Sequence, residues 1–186
     1  MTVQERPSPG KYALRVADYA MLGEAGAFGD RRTELIEGDV IVVAPEFRPH
    51  TFVRDELAYR LRRALEALAS PLHVSAGSVE LTDTTMPQPD VVLTGEPRGE
   101  GAIPVRTVAL LIEVASTTLA VDLGLKRRLY AAAGVAEYWV ADVSGRTLHQ
   151  LWQPAGDTYR EAREVPFGES ITAATIPGLT IKTTDL

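Results

Sequence analysis

Cysteine is absent from the 186 residues of this protein, which excludes disulfides, thiolate metal sites and cysteine nucleophiles. Histidine is scarce too. His50, His73 and His149 lie far apart in the sequence, so a zinc site built from histidines is not expected. The Pro-rich start, MTVQERPSPGKY, lacks an apolar run long enough for a signal peptide or a membrane span, so neither is expected there. We expect a cytoplasmic protein with no membrane partner.

Positive charge is the minority charge in this chain. Nineteen Lys and Arg stand against 25 Asp and Glu, for a net charge of −6. This balance argues mildly against a protein that coats nucleic acid, although a local basic face is compatible with it. Hydrophobic and charged contents of 45% and 24% are typical of a globular protein long enough to bury one core. We expect one domain over residues 16–186, after a flexible lead-in over residues 1–15.

The pattern of apolar residues predicts a mixed α/β (α+β) fold, because helices and strands alternate irregularly along the chain. Between the helices it predicts strands around LHVSAGSVELT, DVVL and VALLIEVA, and more strands follow from VAEYWVADV onward. The other predicted elements are a helix over Val16–Gly26, a hairpin turning at Glu37-Gly38-Asp39, a long helix over His50–Ala69, and a helix from about Val121 to Ala133 that Gly134 ends.

Glu113 is the one charged residue in the apolar run VALLIEVA. An ionised carboxylate in a buried strand is costly unless it is paired, hydrogen-bonded or bound to a metal. Asp90 begins a second apolar run, DVVL, and Lys126 lies on the helix that follows Glu113. Alone, each has a simpler interpretation: a turn-capping aspartate, a structurally paired glutamate, and a surface ion pair of Lys126 with Asp122.

Together, two carboxylates at the polar ends of neighbouring strands and a lysine on the next helix predict a divalent-metal site. Magnesium prefers oxygen ligands, so Asp90, Glu113 and a backbone carbonyl such as that of Val114 would suffice. A nearby lysine suits the hydrolysis of a phosphoester, since it can orient or activate an attacking water. Tyr138 and Trp139, in a predicted strand, are expected in the core or at a subunit contact more than as a base-stacking platform.

Several segments resemble, in this order, the Uma family of restriction-endonuclease-like proteins. They are TELIEGDVIVVAP, His50 at the start of a long helix, PQPDVV, LLIEVAS and VDLGLKRRLYAAAGVAEYWVADV, which together cover about Thr33 to Val143. The resemblance implies the restriction-endonuclease-like fold of the PD-(D/E)XK nuclease superfamily, a mixed β-sheet flanked by helices. It also implies an endonuclease, dependent on Mg²⁺ or Mn²⁺, that hydrolyses DNA phosphodiester bonds with a metal-activated water.

Carried over to this sequence, the resemblance assigns Asp90 to the PD aspartate and Glu113 to the second acidic position, both as catalytic metal ligands. The wider nuclease group has a lysine two residues after that glutamate, where this chain has Ala115. We therefore interpret Lys126 as the catalytic lysine, displaced to the next helix.

The resemblance also implies a further acidic residue near the metal. Glu34 is the first choice for it and Glu37 the rival. Four other positions match the family and are interpreted as lining the substrate: His50, Gln88, Asp122 and Tyr130.

DNA is the expected partner, and basic residues on the two helices are its expected contacts: Arg48, Arg54, Arg60, Arg62, Arg63, Lys126, Arg127 and Arg128. A homodimer is expected because two-fold symmetry suits the cutting of two strands. Two alternatives stay open. The fold has lost activity and serves as a binding or assembly module, or the protein hydrolyses another phosphoester.

Overall fold

The structure is a computed structural model that describes residues 10–186. A flexible lead-in is predicted over residues 1–15, and its first nine residues lie outside the described residues. Residues 10–15 run along the first hairpin, where the backbone N–H of Leu14 donates to the carbonyl of Gly38 at 3.1 Å.

Helices and strands alternate in the irregular order that the sequence predicts. Within residues 10–186 the α-helices are α1 (Val16–Glu24), α2 (Arg48–Ala67), α3 (Leu119–Val121) and α4 (Arg127–Ala132), with a π-helical turn, Asp122–Lys126, joining the last two. The strands are β1 (Thr33–Ile36), β2 (Asp39–Val42), β3 (His73–Ser75), β4 (Val79–Glu80), β5 (Val91–Thr94), β6 (Ile103–Pro104), β7 (Val108–Ala115), β8 (Glu137–Asp142), β9 (Thr147–Ala155), β10 (Thr158–Pro166), β11 (Ser170–Thr172) and β12 (Thr180–Lys182).

Six strands form the main sheet in the order β10-β9-β8-β7-β5-β3. Strands β7 and β8 run parallel, because the helical segment between them crosses over the sheet, and the other neighbours in this sheet are antiparallel. The predicted mixed sheet with flanking helices is confirmed.

Both faces of the sheet are covered by apolar side chains. One face packs against α2 and the β11-β12 hairpin, and the other packs against α4. Strand β7 supplies both layers because successive residues point to opposite faces. Leu111 and Ala115 join the α4 layer, whereas Ile112 and Val114 join the α2 layer. Alternation therefore directs Glu113 toward the helix that carries Lys126.

The β1-β2 hairpin turns at Glu37 and Gly38, which both have positive φ angles of 51° and 83°. Two such residues in succession match the right-handed twist of an antiparallel pair. A side chain on Gly38 would collide with Ala13, so glycine is required there. The predicted hairpin is confirmed, and it fixes the strand that carries Glu34.

The predicted core positions of Tyr138 and Trp139 are confirmed, since both side chains are fully buried.

Among residues 10–186, no helix combines the length and the apolar character needed to cross a bilayer.

Candidate active site

A cleft of about 370 Å³ opens where β5 begins and β7 ends. Its walls come from β2, the start of α2 and the segment from α3 through the π-helical turn. In the antiparallel pair of β5 and β7, Val91 lies opposite Ile112, so Asp90 and Glu113 are neighbours at this edge of the sheet. Both side chains line the cleft.

Asp90 is anchored by the backbone of β7. Its Oδ2 accepts a hydrogen bond from the N–H of Val114 at 2.7 Å and lies 3.2 Å from Nε2 of His50. These contacts fix the carboxylate at the strand end. Its other oxygen, Oδ1, takes no hydrogen bond from the described residues and is available to a ligand.

Glu113 belongs to a buried cluster with Lys126, Glu34 and Tyr130. Lys126 Nζ donates to Oε1 of Glu113 at 3.0 Å and to Oε1 of Glu34 at 2.8 Å. The hydroxyl of Tyr130 donates to the same Oε1 of Glu113 at 2.6 Å. Lys126 and Glu113 are only 9% and 5% exposed, so these bonds are shielded from bulk water. Oε2 of Glu113 has no bonded partner in the described part of the chain.

Burial and charge act on this cluster in opposite directions. Burial, together with the nearby carboxylates of Asp90, Asp122 and Glu34, raises the pKa of Glu113 to about 8 against the attraction of Lys126. Burial alone would lower the pKa of Lys126, but its attraction to Glu113 and Glu34 raises it. At neutral pH the lysine is therefore charged, and Glu113 readily holds a proton that a bound cation would displace.

The π-helical turn brings Asp122 to the same side as Lys126, and both are buried. Such turns occur often at functional sites, because the widened backbone redirects neighbouring side chains. Thr118 donates to Oδ2 of Asp122 at 2.6 Å, and Tyr138 donates to the Asp122 carbonyl at 3.1 Å. Burial raises the pKa of Asp122, opposed by the bond from Thr118 and the charge of Lys126.

Three potential metal ligands, Glu46, His50 and Asp90, have donor atoms within 4.8 Å of one another. The hydrogen bond to Asp90 raises the pKa of His50 against partial burial, while Nδ1 of the ring lacks a hydrogen-bond partner among residues 10–186. Glu46 already forms ion pairs with Arg32 and Arg54. A cation bound by Glu46, His50 and Asp90 would therefore use the same aspartate as a cation bound by Asp90 and Glu113. It would also compete with Arg32 and Arg54 for the carboxylate of Glu46.

The structure brings most of the candidate site residues to one cleft. Seven of the eight line it: Glu34, His50, Gln88, Asp90, Glu113, Asp122 and Lys126. The eighth, Tyr130, lies behind it and touches Glu113. Glu37, the rival of Glu34, lies outside on the hairpin turn, where it pairs with Arg128.

Sequence reasoning missed Glu46, Arg32 and Phe47, which also line the cleft. A signal existed for Glu46, which stands four residues before His50 at the start of α2 and pairs with it across 3.8 Å. Arg32 donates to Glu46 and, at 3.3 Å, to Oε1 of Gln88. Nothing in the sequence distinguishes Arg32 from the other arginines.

Several of the basic residues expected to contact DNA are engaged within the protein. Arg54 pairs with Glu46 and Asp55, and Arg60 pairs with Glu56 and donates to the carbonyls of Lys182 and Thr184. Besides these, Lys126 is held by two glutamates and Arg128 pairs with Glu37. Four of the eight predicted DNA contacts are thus engaged by acidic groups of the protein itself.

The donor set fits a divalent cation. Asp90 and Glu113 face one cleft, and each keeps one carboxylate oxygen free of protein partners. Magnesium and manganese accept such oxygen ligands and retain several waters, for which the cleft has room. The buried hydroxyl of Ser116, at the end of β7, also lacks a hydrogen-bond partner in the described residues and lines the same cleft.

The raised pKa of Glu113 predicts how stability depends on pH. Between about pH 4.5 and 8 the folded state holds a proton that the unfolded state has released, so the free energy of unfolding falls as pH rises. One proton corresponds to a slope of at most about 1.4 kcal/mol per pH unit. Urea unfolding in EDTA from pH 4.5 to 8.5 should show a steeper loss in the unmodified protein than in Glu113→Gln, where only other groups such as His50 and Asp122 still contribute. Parallel curves for the two proteins would contradict it.

A second buried glutamate, Glu137, serves as a contrast to Glu113. Its Oε1 accepts hydrogen bonds from Trp139, Gln150 and the N–H of Ala174, and its Oε2 accepts two from Thr175. Both oxygens are satisfied by the protein, and Glu137 is fully buried away from the cleft. Glu137 is therefore a structural carboxylate.

Comparisons with known proteins identify the fold and the family of this chain. The crystal structure of "a putative nuclease belonging to DUF820" from Anabaena variabilis ATCC 29413 is similar, with a TM-score of 0.63 and 15% sequence identity over 89% of this chain and 90% of that one. The likeness shows a shared fold. No curated protein matches the chain. The model of the Uma2 family, described as "Putative restriction endonuclease", matches residues 18–184. The chain therefore belongs to the Uma2 family of restriction-endonuclease-like proteins.

Proposed function

We propose that this protein is an endonuclease that hydrolyses DNA phosphodiester bonds with the help of Mg²⁺ or Mn²⁺. The observation that carries the proposal is the meeting of Asp90, Glu113 and Lys126 in one cleft. Family membership supports a nuclease, and the two free carboxylate oxygens support a divalent cation.

Each side chain has a role that its contacts support. Asp90 and Glu113 would hold the cation, with the carbonyl of Val114 as a further ligand. A cation held there would stabilise the negative charge that develops on the phosphate during hydrolysis. Lys126 lies beside the reacting phosphate and orients the attacking water.

Other residues position these groups. Glu34 accepts hydrogen bonds from Lys126 and from the N–H of Gln88 at 2.8 Å, which fixes the lysine. Tyr130 fixes the rotamer of Glu113. His50 orients Asp90, and Asp122 adds negative charge that helps to retain the cation. Homodimer formation and a cytoplasmic location stay predictions.

The test is a cleavage assay on plasmid DNA, linear duplex DNA, single-stranded DNA and RNA, each with Mg²⁺, Mn²⁺ or EDTA. We expect internal cuts in DNA with either metal and none in EDTA. Products with internal cuts identify an endonuclease, whereas hydrolysis of bis(p-nitrophenyl) phosphate alone would identify a hydrolase of another phosphoester. No hydrolysis of any substrate would favour the inactive binding module.

A further inference from the structure

Four exposed apolar side chains surround the mouth of the cleft, and the proposed hydrolysis uses none of them. This apolar rim consists of Ile41 and Val42 from β2, Phe47 from the residue before α2, and Val121 from α3. Phe47 is 71% exposed. Exposed apolar groups gathered in one place mark a binding surface. The rim therefore needs an occupant.

The charge of the cleft does not suit a DNA duplex. Its described lining includes five acidic side chains and two basic ones. Neither basic group is free, because Lys126 donates to Glu34 and Glu113 and Arg32 donates to Glu46 and Gln88. Duplexes are bound chiefly by Lys and Arg that neutralise several phosphates. Affinity here must come from a cation at one phosphate and from contacts that are not ionic.

The size of the cleft points the same way. A volume of about 370 Å³ is that of a small-molecule site, with room for one nucleotide and not for a duplex. In a duplex the faces of the bases are stacked inside, where an apolar rim cannot reach them. An unpaired base exposes a face that stacks well on an aromatic ring.

We propose that the substrate of this site is unpaired nucleic acid, and that the base next to the scissile phosphate packs against Phe47. The inference rests on the proposed function, since the reacting phosphate must lie at Asp90 and Glu113. The other rim residues enclose the base with apolar contacts. Contacts of this kind tolerate any base, so cleavage should show little sequence preference.

Two buried polar atoms without a hydrogen bond in the same cleft support this occupant. Nδ1 of His50 and Oγ of Ser116 are buried and have no hydrogen-bond partner among the described residues. Buried polar groups are costly when they are left unsatisfied. A nucleotide brings donors and acceptors on its sugar and base edge, which would satisfy both atoms.

The test compares one labelled oligonucleotide as a single strand, as a full duplex and as a duplex with an internal unpaired loop, in Mn²⁺ or Mg²⁺. We expect the single strand to be cut at least about tenfold faster than the duplex, and cuts in the third substrate to fall in its loop. Phe47→Ala should lower the single-strand rate about tenfold, whereas Phe47→Tyr should retain it. Phe52→Ala is the matched control, because Phe52 is 52% exposed on α2 and lies outside the cleft.

Equal rates on single strand and duplex, or an unchanged rate in Phe47→Ala, would overturn the inference and leave the nuclease in place. If no substrate is cut, the proposed function fails, and the preference for unpaired nucleic acid is then tested by measuring binding. Fluorescence anisotropy should show that Glu113→Gln prefers the single strand and that adding Phe47→Ala removes the preference. Absence of that preference overturns the inference. A lower sedimentation mass for Phe47→Ala would also overturn it, by identifying the rim as a contact between two copies of the chain.

Discussion

Glu113→Gln should lower metal-dependent cleavage at least about 1,000-fold while leaving the protein as stable as before or more stable. The loss follows because an amide binds a divalent cation far more weakly than a carboxylate, and several kcal/mol of charge stabilisation disappear with it. The fold should persist because the amide oxygen can still accept hydrogen bonds from Tyr130 and Lys126. Removing one of several crowded carboxylates also relieves repulsion. Asp90→Asn should behave likewise in cleavage.

Glu137→Gln is the matched control for this substitution. Glutamine retains one acceptor oxygen and places an NH₂ group against donors such as Thr175 or Trp139. We expect a loss of about 1–3 kcal/mol in the free energy of unfolding, with cleavage by the folded protein unchanged. Chemical unfolding in EDTA and initial cleavage rates measure the two effects. The assignment of Glu113 fails if Glu113→Gln still cleaves, or if it is destabilised as much as Glu137→Gln.

The sequence predicted the parts of the fold that depend on local pattern. A continuous apolar run placed Glu113 in a buried strand, and Gly38 marked the hairpin turn. Periodicity also predicted α2, which is observed over Arg48–Ala67. These features follow from backbone preferences and from the period of each element, both of which a single sequence displays.

Features that depend on tertiary contacts were beyond such reasoning. No local pattern signals the π-helical turn at Asp122–Lys126, and helical spacing alone suggested only that Asp122 pairs with Lys126. Likewise, the choice between Glu34 and Glu37 depends on which face of the hairpin meets the cleft. A shift of one residue in the pairing of β1 with β2 would exchange the two faces. The ion pairs of Lys126 with Glu34 and of Arg128 with Glu37 are equally invisible, because their acidic partners lie far away in the chain.

The position of the lysine follows from packing. Ala115 lies two residues after Glu113 on the same face of β7, where it is 1% exposed and packs in the layer under α4. A lysine there would bury its stem and charge among apolar side chains. From the helix, Lys126 instead reaches Glu113 and Glu34 at the border of the cleft. The protein thus keeps a positively charged side chain beside the carboxylates without burying a lysine in its apolar core.

Lys126→Met should lower cleavage by about 10²–10⁴-fold, the range typical for a group that assists proton transfer or stabilises charge at the reacting atoms. It should also lower the free energy of unfolding by about 3 kcal/mol, because Glu34 loses its counter-charge in a buried setting and Glu113 loses a hydrogen-bond donor. The two effects separate in the double variant Lys126→Met with Glu34→Gln. Neutralising Glu34 removes the unpaired charge, so stability should recover while cleavage stays low. Urea unfolding and cleavage rates for the single and double variants make the comparison. If cleavage recovers together with stability, Lys126 is only a counter-ion of the glutamates, and the water must be oriented by another group.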